Sequence, residues 1–221
     1  MCAKLRVLIV ILFGVFVLAG CKADKAEVTL YTSDIEDAVA GKVVEVPVKA
    51  TFRIMGKDKK NLLGKSVAVA KKYLSKGSKF TRSKGQFGEN LVIETKIPMG
   101  KIGPLKNSLK TMGQRLAAVV INSSGKRLDF MISKRGRLAL NKELRKINYM
   151  LSLDKVIKSA MYRVISDSRK KYKVTAYAVW VSKKPYLSYA KILNRRDEAV
   201  LTFKGGSDSI YSQLRHFIIV K

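Results

Sequence analysis

Histidine is almost missing from this sequence: His216 is the only one in 221 residues. General acid–base chemistry would therefore fall on carboxylates, lysines or tyrosines. A Ser-His-acid triad could be assembled only around His216, and no Gly-x-Ser-x-Gly turn is present to hold its serine. Cysteine is nearly as scarce, with Cys2 and Cys21 alone. That inventory is too small for a zinc centre of Cys and His ligands or for a framework of disulfides. Acids are the third shortage: 16 Asp and Glu face 45 Lys and Arg, a formal net charge of +29. Only Asp34, Glu36 and Asp37 form a tight group of carboxylates. No internal repeat, low-complexity tract or linker divides the chain.

What is present begins at the N-terminus. Lys4 and Arg6 make a short positive segment, which the positive-inside tendency keeps cytoplasmic. Val7 to Val17 (VLIVILFGVFV) is apolar throughout, and the uncharged stretch continues only to Cys21. A helix that spans a bilayer needs about 20 such residues. This run has the length of the core of an export signal. It ends on Leu18-Ala19-Gly20-Cys21.

Those four residues resemble the lipobox of bacterial lipoproteins, a large residue and two small ones before an invariant cysteine. The resemblance implies that Cys21 receives diacylglycerol on its thiol. It also implies that a peptidase cuts between Gly20 and Cys21, so that residues 1–20 are a signal peptide. In lipoproteins of Gram-negative bacteria, Asp after the cysteine retains the protein in the inner membrane. Lys22 stands there instead. For a Gram-negative host, the resemblance implies the periplasmic face of the outer membrane. It covers the first 21 residues and leaves the rest of the chain unassigned.

Removal of the signal leaves about 200 residues, enough for one domain with a sizeable core. Cys21 would then be the only cysteine, and it would be alkylated, so the fold rests on packing without a disulfide. The signal carries two bases and no acid, leaving 43 bases against 16 acids. Self-repulsion at this level favours an anionic partner or surface. The alternative is a lysine-rich solvated surface with no ligand, and composition is compatible with both.

Hydrophobic period and turn residues predict a single α+β domain over 27–221, with a largely antiparallel sheet and two to four helices. A tether of residues 21–26 would join it to the lipid. Glu27–Tyr31 reads as the first strand, and Ser33–Glu36 as a capping box opening a short helix over 34–40. Val44, Val46, Val48, Ala50, Phe52 and Ile54 share one face of a strand, with Pro47 at an edge or bulge. Asn61 caps a helix through Ser75. Pro98 to Asn107 reads as a rigid turn and Asn141 as a helix cap. Ser123-Ser124-Gly125 joins a hairpin. Strands then follow in the last third, at 162–165, 174–181, 187–193, 200–203 and 217–220.

The search for chemistry returns mainly exclusions. Gly64-Lys65-Ser66 lacks the earlier glycine of a phosphate-binding loop, since position 59 is Lys59, and it falls in a helical pattern. Asp34, Glu36 and Asp37 suit the positive end of a helix. No metal or cofactor is expected, and no catalytic residue. Lys134, Arg135 and Arg137, with Arg169, Lys170 and Lys171, are the candidate contacts to a polyanion such as anionic lipid or lipopolysaccharide. Nucleic acid would require an unexported protein. The expected function is a non-catalytic envelope lipoprotein with a basic binding domain. Alternatives are an accessory protein of an envelope assembly (secretion, conjugation or phage exclusion) and an envelope enzyme acting on glycan or lipid.

Overall fold

Apolar residues at every second position curl the sheet around one interior. The computed structural model describes residues 23–54, 59–85, 88–113, 116–122, 127–147, 149, 159–204 and 217–220. Among these, eleven strands form one sheet: β1 (Ala23–Tyr31), β2 (Val44–Ile54), β3 (Lys79–Gly85), β4 (Gly88–Lys101), β5 (Ala117–Ile121), β6 (Arg127–Ile132), β7 (Ser159–Ile165), β8 (Tyr172–Val181), β9 (Lys184–Leu193), β10 (Glu198–Lys204) and β11 (Phe217–Val220). Four helices accompany them: α1 (Thr32–Val39), α2 (Lys59–Lys71), α3 (Ile102–Met112) and α4 (Lys134–Ile147). The expected α+β class is the observed one.

The strand order is β10-β7-β1-β2-β4-β5-β6-β11-β8-β9, with β3 on β4. Only β1 with β7 and β4 with β5 run parallel. β8 also meets β10 at Trp180 and Thr202, which closes a circuit of nine strands. Val28, Leu30, Met99, Ile121, Val174 and Leu201 fill the interior from five of them. Each such side chain contributes about 1.5–3 kcal/mol when fully buried. The rings of Phe130, Tyr162 and Phe203 meet edge to face at 5.8 and 5.3 Å, linking β6, β7 and β10. Ile35 and Ala38 of α1 close one end. In β8 the buried positions are Tyr172, Val174 and Ala176, then Val179. The alternation slips by one at Ala178, whose φ of 49° is left-handed.

Several boundaries differ from those read in the sequence. β1 starts at Ala23 and pairs with β2 from there, so the stretch between Cys21 and the sheet is shorter than the expected 21–26 tether. The capping box is not used as one. α1 begins at Thr32, and Asp167 across the sheet accepts from the amide of Ser33 instead. Pro47 lies inside β2, but β1 pairs β2 only as far as Val48, so one side of Pro47 is free of a ladder. Pro98 continues β4 opposite Glu45, and the expected turn is the start of α3. Pro104 fits there because a first-turn N–H has no helical acceptor. α3 ends on Gly113 at φ 67°, a left-handed cap that glycine adopts without strain. α4 starts seven residues before Asn141, which is buried mid-helix. Ser133 supplies its cap by accepting from the amide of Gly136. Ser152-Leu-Asp-Lys, which in the sequence could begin a further helix, lies outside the described residues.

Candidate functional site

Charge is distributed unevenly over this fold. On the outer face of β10, β7, β1, β2 and β4 the acids meet bases across the strands. Arg163 donates to Glu27 at 2.9 Å and Glu198 at 2.7 Å, Lys49 lies 3.3 Å from Glu94, and Lys96 lies 3.1 Å from Glu45. Register makes these contacts: the parallel β1–β7 pair brings Arg163 near Glu27, and the antiparallel pairs set Lys49 between Glu27 and Glu94. Glu27 and Glu198 together raise the pKa of Arg163.

The α1 end is held by a second set of acids. Asp167 accepts from the Ser33 amide at 2.9 Å, from Thr32 Oγ1 at 2.8 Å and from Ser33 Oγ. Burial alone would raise its pKa, but these hydrogen bonds outweigh it and hold the carboxyl below the ordinary aspartate value. Asp34 is shifted the other way, by burial first and then by the charges of Asp167 and Asp37. Glu36 accepts from Lys170 Nζ and from Tyr172 Oη, both at 2.7 Å, and the Lys170 bond is the larger cause of its lowered pKa. Asp37 pairs with Lys42 at 2.9 Å. Asp167 holds the start of α1 and Glu36 ties the helix to the 166–171 loop, so the capping read for 34–37 in the sequence is supplied by Asp167 instead.

α2, β3 and α4 form the contrasting region. α2 packs through Leu63 on Leu91 and Ile93 of β4, with Phe80 of β3 beside them. α4 joins through Leu140, which meets Tyr73 and Leu116. The outward positions are basic. Lys65, Arg82, Lys84, Lys134, Arg135, Lys142, Arg145 and Lys146 are all exposed, and none has an ion pair or hydrogen bond among the described residues. Glu143 is the one acid of α4, and it is occupied by Tyr73 Oη at 2.5 Å and Lys72 Nζ at 2.9 Å. The Tyr73 bond, then the Lys72 bond, lowers its pKa. Neither α2 nor α4 has an acid in its first turn, so α4 places Lys134 and Arg135 at the positive end of its own dipole. Folding gains nothing from that arrangement, whereas an anion beside it would.

The six expected polyanion contacts fall in two places. Lys134, Arg135 and Arg137 lie in the first turn of α4, ahead of the cap read at Asn141, and Arg137 has a further contact. Arg169 and Lys171 are exposed in the 166–171 loop, but Lys170 is bound to Glu36. No described contact joins the two groups. Arg82, Lys84 and Lys142 were not among the expected contacts. Cys21, Gly20 and His216 lie outside the described residues. Among those described, no group of three His, Cys, Asp or Glu is placed to hold a metal ion.

Two shallow depressions mark the surface. One lies between α2 and α4, lined by Tyr73, Ala139, Lys142 and Glu143. The other runs between α3 and the β5–β6 face, with Leu105, Leu109 and Val120 in its floor. Neither is lined by Asp34, Glu36 or Asp37. β9 is exposed along nearly its whole length, including Leu187 at 83% and Ile192 at 61%. Among the described residues it pairs with β8 alone.

A family model described as a domain of unknown function, DUF7424, matches residues 25–203. No curated protein and no solved structure matches the chain.

Proposed function

Starting from a chain that belongs to the DUF7424 family, we propose that this is a membrane-anchored envelope lipoprotein whose basic domain binds an anionic surface without catalysis. The observation that carries this reading is the sequence Leu18-Ala19-Gly20-Cys21 with β1 beginning only two residues later, at Ala23. Two residues reach at most about 7 Å. A lipid on Cys21 would thus seat the domain against the bilayer, within about one Debye length of its headgroups. The family match supports the division into signal and domain, since it starts at residue 25. The unpaired cations of α2, β3 and α4 support an anionic partner. Lys22 favours the periplasmic face of the outer membrane in a Gram-negative cell.

Membrane fractionation of the tagged full-length protein tests the anchor. The wild-type protein is expected to stay with membranes in high salt and to leave them in detergent. Release by salt alone would contradict a lipid anchor, because surface charge is screened by salt and an acyl chain is not.

The second reading, an accessory protein of an envelope assembly, is favoured by β9. A ten-residue edge strand with exposed Tyr186, Leu187 and Ile192 offers backbone groups and apolar contacts to another chain. Crosslinking in intact cells should then recover one stoichiometric protein partner, and Leu187→Lys should abolish its capture. Recovery of no partner, or undiminished capture by the variant, would count against it.

A further inference from the structure

The register of the sheet relates the anchor to the cations, and this step rests on the lipoprotein reading above. Ala23 of β1 pairs with Phe52 of β2, Phe52 with Leu91 of β4, and Leu91 with Arg82 of β3. These four residues form one row across adjacent strands. At about 4.8 Å per strand, Arg82 lies roughly 14 Å along the sheet from Ala23. Beyond that row, β1 leads back to Cys21 within two residues, and β3 leads to Lys84 and Gly85 within three. The anchor and the tip of the β3–β4 hairpin therefore project from the same end of the sheet. α2 meets this row at Leu91, on which Leu63 packs, and Lys65 is exposed two residues further on. The loop at 166–171 and α1 lie at the other end, where β1 finishes at Tyr31.

We infer that the α2–β3–α4 layer is the membrane-facing surface, and that its unpaired cations bind the headgroups of anionic phospholipid. Arg82, Lys84 and Lys65 stand nearest the anchor and make the first contacts. Lys142, Arg145 and Lys146 extend the positive surface along α4. Glu89 and Glu94, opposite Lys84 and Lys79 in register, and Glu143 are the acids described in this region, fewer than its bases. The anchor fixes the distance to the bilayer, and the cations fix which side of the domain turns towards it.

The test uses full-length protein purified from membranes and reconstituted into vesicles of phosphatidylcholine, with or without phosphatidylglycerol. Amide hydrogen exchange reads the contact. Anionic lipid is expected to slow exchange severalfold over 59–85 and 134–147, and high salt to remove the effect. The variant Lys65→Glu/Arg82→Glu/Lys84→Glu should lose the slowing. The variant Arg169→Glu/Lys171→Glu/Lys173→Glu, with the same charge change at the opposite end, should keep it. Unchanged circular dichroism and melting temperature show that both remain folded. Equal exchange in both vesicles, or slowing confined to 166–173, overturns the inference. So does slowing by a DNA duplex on neutral vesicles that anionic lipid does not reproduce. Flotation with neutral vesicles reads the anchor separately. If that fails, the lipoprotein reading falls, while binding to anionic vesicles still reads the face.

Discussion

Asp167 accepts three hydrogen bonds and fastens the start of α1 to the 166–171 loop, whereas Lys142 and Arg145 on α4 have no ion pair or hydrogen bond among the described residues. Both regions are polar and both lie near the surface, yet their charges do different things. At the α1 end, charge is part of the fold: carboxylates satisfy helix amides, a threonine hydroxyl and a lysine. In the α2–β3–α4 layer the fold is made by Leu63, Tyr73, Leu91 and Leu140, and the cations project outward from it. Charge that contributes little to folding is free to serve binding. Charge that caps a helix is not.

This difference is open to direct attack. Asp167→Ala should cost the most, about 1–3 kcal/mol, because buried Thr32 and the Ser33 amide lose their acceptor. Urea unfolding measures it, and a loss within the scatter of surface variants would erase the distinction. A smaller loss should accompany acidification. Asp167 and Glu36 are held below their ordinary values of 3.8 and 4.5. Their ionised forms are favoured by folding, so the stability they add is complete above those values and disappears as pH falls through the lowered ones. Asp34, shifted upward, acts in the opposite direction: its ionisation as pH rises disfavours the fold. Melting temperatures below pH 5 should therefore drop less in Asp167→Asn than in the wild type. An unchanged acid limb would show that α1 is held by packing alone.

Tyr73→Phe probes the one engaged acid of the basic layer. Loss of its bond to Glu143 should cost about 0.5–1.5 kcal/mol. The smallest effects belong to Lys142→Ala, Arg145→Ala and Lys146→Ala, each expected within about 0.5 kcal/mol of the wild type. A slight gain from relieved repulsion would sharpen the contrast further. A loss as large as that of Asp167→Ala would show these lysines to be structural.

Much of the sheet was legible because burial on one face writes a period of two. Val44, Val46 and Val48 announce β2 in this way, and the strands of the last third follow suit. Connections across the fold were not legible. The capping box at Ser33 was a sound local signal, but Asp167, 134 residues away, took the amide. α3 was hidden by Pro98, Gly103 and Pro104, which read as a turn until Pro98 proves to sit in a strand and Pro104 in a first helical turn. Lys134, Arg135 and Arg137 were singled out as bases but not as the start of a helix, because Asn141 is the stronger local cap signal. Three bases at a helix start oppose the dipole, which supports the anionic partner proposed for α4. Arg82 and Lys84 were not singled out because β3 is exposed over 79–84 apart from half-buried Phe80 and carries little hydrophobic period.

The most direct test of the account is the intact mass of the protein purified from bacterial membranes, beside that of Cys21→Ser. The account predicts a wild-type chain that begins at Cys21 and carries added diacylglycerol, with neither change in the variant. An unprocessed, unmodified wild-type chain of 24.7 kDa would contradict it.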